Sequence, residues 1–332
     1  MSDLINCRAI SVDRLPDDWQ SNRRNLVLAS VGYEQRARFV CETHILDAFL
    51  KVAAGFANQR VLEYAANIGW FDSNGFEVQE VSDEKFRIWI ETLLSRVSTT
   101  ASAEPASPIR ILVDISCMSR KRMAHTIAAL RDCPGSSQFL VDFVYALAAY
   151  TPPGEQVLPN TYVGPITSDF AGWWNEPDRT LSAIVGLGYE QDKALGAVEY
   201  LQAQDVWLFQ PVSEEPRYTS ALAKANGTLL GSTDSRHLFI YRLHDPLESY
   251  SKLRSLVLGL LTKHNVVFLP FGPKLFVLYS LLIAADDPDI AVWRVSATSE
   301  KPANAMAFGT CYGLRVSFSI RSRAPKVRVE TR

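Results

Sequence analysis

Several common signatures are missing from this chain. There is no CxxC pair, and its five cysteines, Cys7, Cys41, Cys117, Cys133 and Cys311, lie scattered. Such a set forms neither a disulfide framework nor a zinc site, and it predicts a reducing, cytoplasmic setting. His44, His125, His237, His244 and His264 include no HExxH motif or paired ligand spacing, so no metal is expected. GxSxG and Walker A patterns are absent, which removes the commonest hydrolase and NTPase frameworks. An excess of charge of one sign is missing as well. The net charge is −2 and 21% of residues are charged, which argues against disorder and against a chain-wide basic surface for nucleic acid. The start, MSDLINCRAISVDRLPDDW, has no apolar core of a secretory signal. The apolar stretch 266–285 has the length of a membrane helix but carries Pro270, Gly272, Pro273 and Lys274 in its first half. Those residues would break the helix and place a charge in lipid. It reads as strand, tight loop and buried helix, so no membrane partner is expected.

What is present is a duplication. With 47% apolar residues in 332, the chain can build a sizeable core. An apolar run from Leu26 ends in Gly32-Tyr33-Glu34-Gln35, and a second from Leu181 ends in Gly188-Tyr189-Glu190-Gln191, 156 residues later. The same offset takes Asp114, at the end of the apolar strand pattern 109–115, to Pro270, at the end of Val266-Val-Phe-Leu. A loop and an apolar helix pattern follow each. Two strand–loop–helix units recurring at one spacing mark an internal repeat.

The expected order in the first half is strand 26–30, helix 38–54, strands 60–66 and 76–81, helix 83–98, strand 109–115, helix 121–131 and strand 138–147. In the second it is strand 181–186, helix 190–203, strand 205–210, helix 217–226, strand 237–243, helix 247–263, strand 265–270, helix 274–285 and strand 290–296. This alternation predicts an α/β protein of two tandem, related Rossmann-like units with mostly parallel sheets, in a pseudo-two-fold arrangement. The halves span 1–150 and 179–300. A Pro/Gly-rich connector, 151–178, holds Trp173 and Trp174 and is expected to pack on one half. The end, 301–332, reads as an edge strand (Leu314, Val316, Phe318, Ile320) with a basic tail (Arg321, Arg323, Lys326, Arg328, Arg332). A solvated tail is the simpler reading, and an anion-contacting one is the alternative.

In such sheets ligands bind beyond the carboxyl ends of the strands, where the winding reverses. The repeated loops fall at that point. Arg36, Arg38, Ser116, Ser119, Arg120 and Lys121 gather near helix N-termini, where free N–H groups and the helix dipole favour phosphate. Across the repeat, Gly186 and Gly188 allow close backbone approach and Lys274 adds a point charge; Tyr33 and Tyr189 suit stacking on a base. Candidate ligand-binding residues are therefore Gly32, Tyr33, Glu34, Arg36, Ser116, Ser119, Arg120, Gly188, Tyr189, Glu190, Gly272 and Lys274. Each has a structural reading too. Ser116 or Ser119 suits a helix cap, Glu34 and Glu190 suit a helix first turn, and Asp114 suits a loop hydrogen bond. Gly186-x-Gly188 lacks the third glycine of the dinucleotide fingerprint, so no NAD and no other cofactor is expected. Cys117, near Arg120 and a helix start, sits where a thiol pKa can fall, but no histidine adjoins it and an inert thiol is expected.

The Phe271-Gly272-Pro273-Lys274-Leu275 loop, between an apolar strand and an apolar helix, resembles the Gly-Thr-Lys loop of CARF domains, Rossmann-like sensors of cyclic oligonucleotides in prokaryotic immunity. Two units in one chain look like the SAVED arrangement. Pro273 stands where that family has Thr, and the first half has Ser116-Cys-Met-Ser-Arg120 in place of the loop. The resemblance implies a regulatory or sensor subunit in anti-phage defence, with a nucleotide-like ligand and a separate effector protein. Two rivals stay open. One is an enzyme acting on a nucleotide phosphate or glycosidic bond through Glu34 and Asp114. The other is a protein-binding scaffold. Nucleic acid is not an expected partner.

Overall fold

The computed structural model describes residues 7–57, 60–101, 107–135, 137–152, 160–172, 178–297 and 304–321. Trp173, Trp174 and the basic residues beyond Arg321 lie outside the described residues. The chain opens with β1 (Cys7–Arg14), β2 (Arg24–Val31), α1 (Phe39–Thr43), β3 (Ala48–Phe56), α2 (Tyr64–Ser73) and β4 (Glu77–Val81). Next come α3 (Phe86–Ala101), β5 (Ile109–Asp114), α4 (Arg120–Asp132), β6 (Phe139–Ala148) and β7 (Asn160–Pro165). The second half runs β8 (Thr180–Gly186), α5 (Lys193–Leu201), β9 (Asp205–Val212), α6 (Pro216–Ala225), α7 (Gly227–Ser232), β10 (Leu238–Arg242) and α8 (Pro246–Leu260). It ends β11 (His264–Pro270), α9 (Lys274–Asp286), β12 (Ala291–Ala297) and β13 (Ala307–Arg321).

The strands form a seven-stranded sheet, β1-β13-β6-β5-β2-β3-β4, and a six-stranded sheet, β10-β9-β8-β11-β12-β7. Within β2–β6 and within β8–β12 all pairs are parallel. Counted from its own first strand, each unit has the order 3-2-1-4-5, the doubly wound Rossmann-like order. The repeat read from the loops is therefore a repeat of topology.

The edges are exchanged. β7, which follows the first unit, pairs antiparallel with β12 of the second sheet. β13, which follows the second unit, pairs antiparallel with β6 of the first sheet, and β1 pairs antiparallel with β13. Thus β13 lies inside its sheet rather than at the expected edge, because β1 covers its outer side. One hydrophobic cluster receives Leu26, Ile111 and Phe143 from the first sheet and Ile184, Val266 and Phe268 from the second, together with α3, α4, α8 and α9. The outer faces are covered by α1 and α2 on the first sheet and by α5–α7 on the second. The layers run helix, sheet, shared helices, sheet, helix. All of α9 from Leu275 to Ala285 is buried, and no helix among the described residues is long and apolar enough to cross a membrane.

Two expected elements of the first half were of the wrong kind. Residues 48–54 form part of β3, not a helix. β3 lies between β2 and β4 and sends Leu50, Val52 and Ala54 to one core and Ala53 and Phe56 to the other. A strand buried on both faces is nearly continuously apolar, so periodicity does not separate it from a buried helix. Residues 64–66 open helix α2 rather than ending a strand, and Tyr64, Asn67 and Phe71 are its buried face at helical spacing.

Candidate functional site

In each unit the first and fourth strands are neighbours, β2 with β5 and β8 with β11, so the winding reverses between them. The repeated loops leave the carboxyl ends of these strands. Gly32 follows β2 and packs against the loop after β5: a Cβ on it would lie 2.6 Å from Cys117 Cβ. Gly272 follows β11 and touches the loop after β8, where a Cβ would collide with the Leu187 carbonyl oxygen. Both glycines are needed for close approach, not for an unusual φ.

An asparagine supports each Gly-Tyr-Glu loop. Asn67 Nδ2 donates to the carbonyls of Gly32 and Glu34, both at 2.9 Å. Asn226 Nδ2 donates to the Gly188 carbonyl at 2.7 Å. Sequence reasoning missed this pair. The signal was there, since an Ala-Asn step falls in the helical segment after the second strand of each unit, Ala66-Asn67 and Ala225-Asn226.

The two sets of loops meet across the unit boundary. Arg120, the first residue of α4, donates through Nη2 to the Phe271 carbonyl at 2.7 Å. Lys274, the first residue of α9, donates through Nζ to the Ser116 carbonyl at 2.6 Å. The exchange is reciprocal. Each helix starts with a cation, which its own dipole disfavours, and each cation reaches the opposite loop. Burial pushes the Lys274 ammonium down to about 8. Among the described residues no carboxylate forms an ion pair with Arg120 or Lys274.

The other candidates are engaged nearby. Asp114 is 2% exposed and accepts from the Ser116 amide at 2.8 Å. Burial raises its carboxyl to about 6, although Ser116, Lys274 and Arg36 pull the other way. Ser116 is buried, and its Oγ accepts from the Ala146 amide at 2.8 Å. Ser119 caps α4, accepting from the Arg122 amide at 3.2 Å. Arg36 is buried, bonded to Glu34 at 2.5 Å and to the Ala146 carbonyl at 2.9 Å. Burial alone would lower its pKa, but Tyr145, Cys117 and Glu34 outweigh that and hold it above its ordinary value. Burial pushes the Cys117 thiol up to about 12, so it is inert at neutral pH. Tyr33 packs against the outer core of the first unit. Tyr189 lies 5.5 Å from the ring of Tyr218, which bonds the Ala149 carbonyl of the first unit at 3.1 Å. Burial raises the Tyr189 hydroxyl to about 12.

No protein-family model and no curated protein matches this chain. Among solved structures, the T. thermophilus 16S rRNA N2 G1207 methyltransferase, in complex with AdoMet and guanosine, aligns over 94% of both chains at 8% identity. Its TM-score is 0.18, and a likeness of that size carries no argument.

A cleft of about 220 Å³ opens at the winding point of the second sheet. Its walls come from Glu190 after β8, Lys193 of α5, Phe271 after β11, Trp293 of β12, and Arg120 from the other unit. It therefore takes residues from both halves. Lys193 and Trp293 were not among the sequence candidates, because a lone Lys on a helix and a lone Trp in a strand carry no motif. The corresponding place in the first unit is occupied by packing, with Cys117 against Gly32 and the Met118 side chain in the core.

Proposed function

We propose that this chain is a regulatory protein that binds a nucleotide-like or otherwise phosphorylated small molecule where the loops of its two units meet. The observation that carries this reading is the state of Arg120 and Lys274. Both are spent on neutral carbonyl oxygens across the unit boundary, with no carboxylate paired to either among the described residues. A phosphate oxygen offers a charge-assisted bond in place of each neutral one, and the Arg fork matches it well. The resemblance of the Gly272-Pro273-Lys274 loop to CARF and SAVED proteins extends the reading to a sensor in anti-phage defence that acts on a separate effector. Binding is favoured over turnover. Glu34 is held by Arg36, and Asp114 is buried and held by Ser116, so neither candidate carboxylate faces the cleft.

The test is a thermal-shift screen against cyclic di-, tri- and tetranucleotides, mononucleotides, NAD and ADP-ribose. A ligand that binds only the folded chain raises its melting temperature with concentration. The expected result is such a rise with at least one phosphorylated compound, reduced in Arg120→Ala and in Lys274→Ala. No shift with any compound would overturn the reading and favour a protein-binding scaffold.

A further inference from the structure

We infer that the chain binds one small phosphate ester per molecule, in the second unit's cleft, with Arg120 supplied across the boundary by the first unit. This rests on the ligand-binding reading above and narrows it to one site, one stoichiometry and one ligand size. The cleft's walls combine two cations, Arg120 and Lys193, with one carboxylate, Glu190. Two N–H donors of those walls, Arg120 Nε and Trp293 Nε1, are buried and have no acceptor among the described residues. Unsatisfied donors of this kind call for an acceptor. A phosphate supplies it to Arg120, beside the second cation of the same wall, Lys193. Glu190 then accepts from hydroxyl groups of an attached sugar, and Trp293 Nε1 donates to a ring nitrogen or an oxygen at the far end. At about 220 Å³ the cleft is smaller than the ~300–1,000 Å³ usual for drug-sized ligands, which suits a nucleoside monophosphate or a sugar phosphate rather than a ring of several nucleotides.

Among the described residues the loops of the first unit do not repeat this site. Its loop between β5 and α4 spans 115–119, against 271–273 for the loop between β11 and α9. The two extra residues carry Cys117 onto Gly32 and bury Met118. Its own cation, Arg36, is neutralised by Glu34.

Calorimetric titration of the full chain tests this, with AMP, glucose 6-phosphate, adenosine and inorganic phosphate as probes. The expected outcome is one AMP or one glucose 6-phosphate per chain, with adenosine bound at least tenfold more weakly. Whichever ester binds tighter tells nucleotide from sugar phosphate. Lys193→Ala and Trp293→Phe should each weaken binding fivefold or more at unchanged melting temperature. Lys193→Ala serves alone if Trp293→Phe does not fold. Two ligands per chain, equal binding of adenosine, or full affinity in Lys193→Ala would overturn the single-cleft site. If the thermal screen finds a larger phosphorylated ligand that both variants bind normally, the single cleft falls and the broader reading stands. If no phosphorylated compound binds at all, both fall.

Discussion

Helices α4 and α9 begin at matching places in the two units, and their third residues differ in kind. In the first unit that residue is Arg122, with no exposed surface. Its guanidinium bonds Asp83 at 2.8 Å, the Gly55 carbonyl at 3.1 Å and the Val81 carbonyl at 2.5 Å, and lies 3.7 Å from the ring centroid of Phe56. It ties together the carboxyl ends of β3 and β4. In the second unit the residue is Phe276. It meets Phe209 of β9 and Tyr241 of β10, each at 5.6 Å between ring centroids. The same space below the second and third strands is filled by a cation among carbonyls in one unit and by tilted, packed rings in the other. Strand order sets where a side chain must go, and leaves open whether polar or apolar chemistry fills the place. The winding points show the same freedom. One is closed by a longer loop, and the other is left as a cleft.

Phe276→Ala should have the largest effect on this comparison. Removing a fully buried ring costs about 3–5 kcal/mol, read as a lower urea midpoint. Arg122→Met comes next, at about 3 kcal/mol, because buried carbonyls lose their donor and Asp83 loses its partner. A loss below 1 kcal/mol in either would show that the two fillings are not equivalent supports.

Asp114 gives the first unit a pH response. Its carboxyl titrates near 6 in the folded chain against an ordinary value of 3.8. Between those values the folded chain holds a proton that the unfolded chain has released. Stability therefore falls as pH rises from about 3.8 to about 6 and levels off above, by about 3 kcal/mol at most. The matching position in the second unit is Pro270, which has no such response. Asp114→Asn should flatten the slope in that window and leave the chain at least as stable at pH 7. An unchanged slope would assign it to other groups. The smallest effect belongs to Ser119→Ala, which removes the cap of α4 for about 1 kcal/mol; at α9 the cap position is Pro273, with no side-chain cap to lose. A loss well above 2 kcal/mol would show that Ser119 does more than cap.

Much of the second unit was legible in sequence because its strands and helices are separated by clear loop chemistry. β11, α9 and β12 lie within a residue or so of their expected bounds. The first unit was harder, since β3 is a central strand covered on both faces and looks like a buried helix to any periodicity. β1 was unreadable for another reason: its partner, β13, is some 300 residues away in sequence and supplies the pairing that makes it a strand. The loops of the site were legible from the repeat. Their partners were not, because Arg120 and Lys274 find theirs across the unit boundary, on backbone carbonyls that have no sequence identity. Asn67 and Asn226 stood in the repeat unnoticed, and Trp293 and Lys193 enter the cleft only through tertiary placement.

The exchange of β7 and β13 between the sheets bears on how such a molecule can change over generations. After a plain duplication either copy can decay or be lost while the other persists. Here each copy borders its partner's fifth strand with a segment encoded beyond itself, so deleting either half would strip an edge from the survivor. The two copies are free to diverge in what fills them, as Arg122 and Phe276 show, yet they must be inherited together.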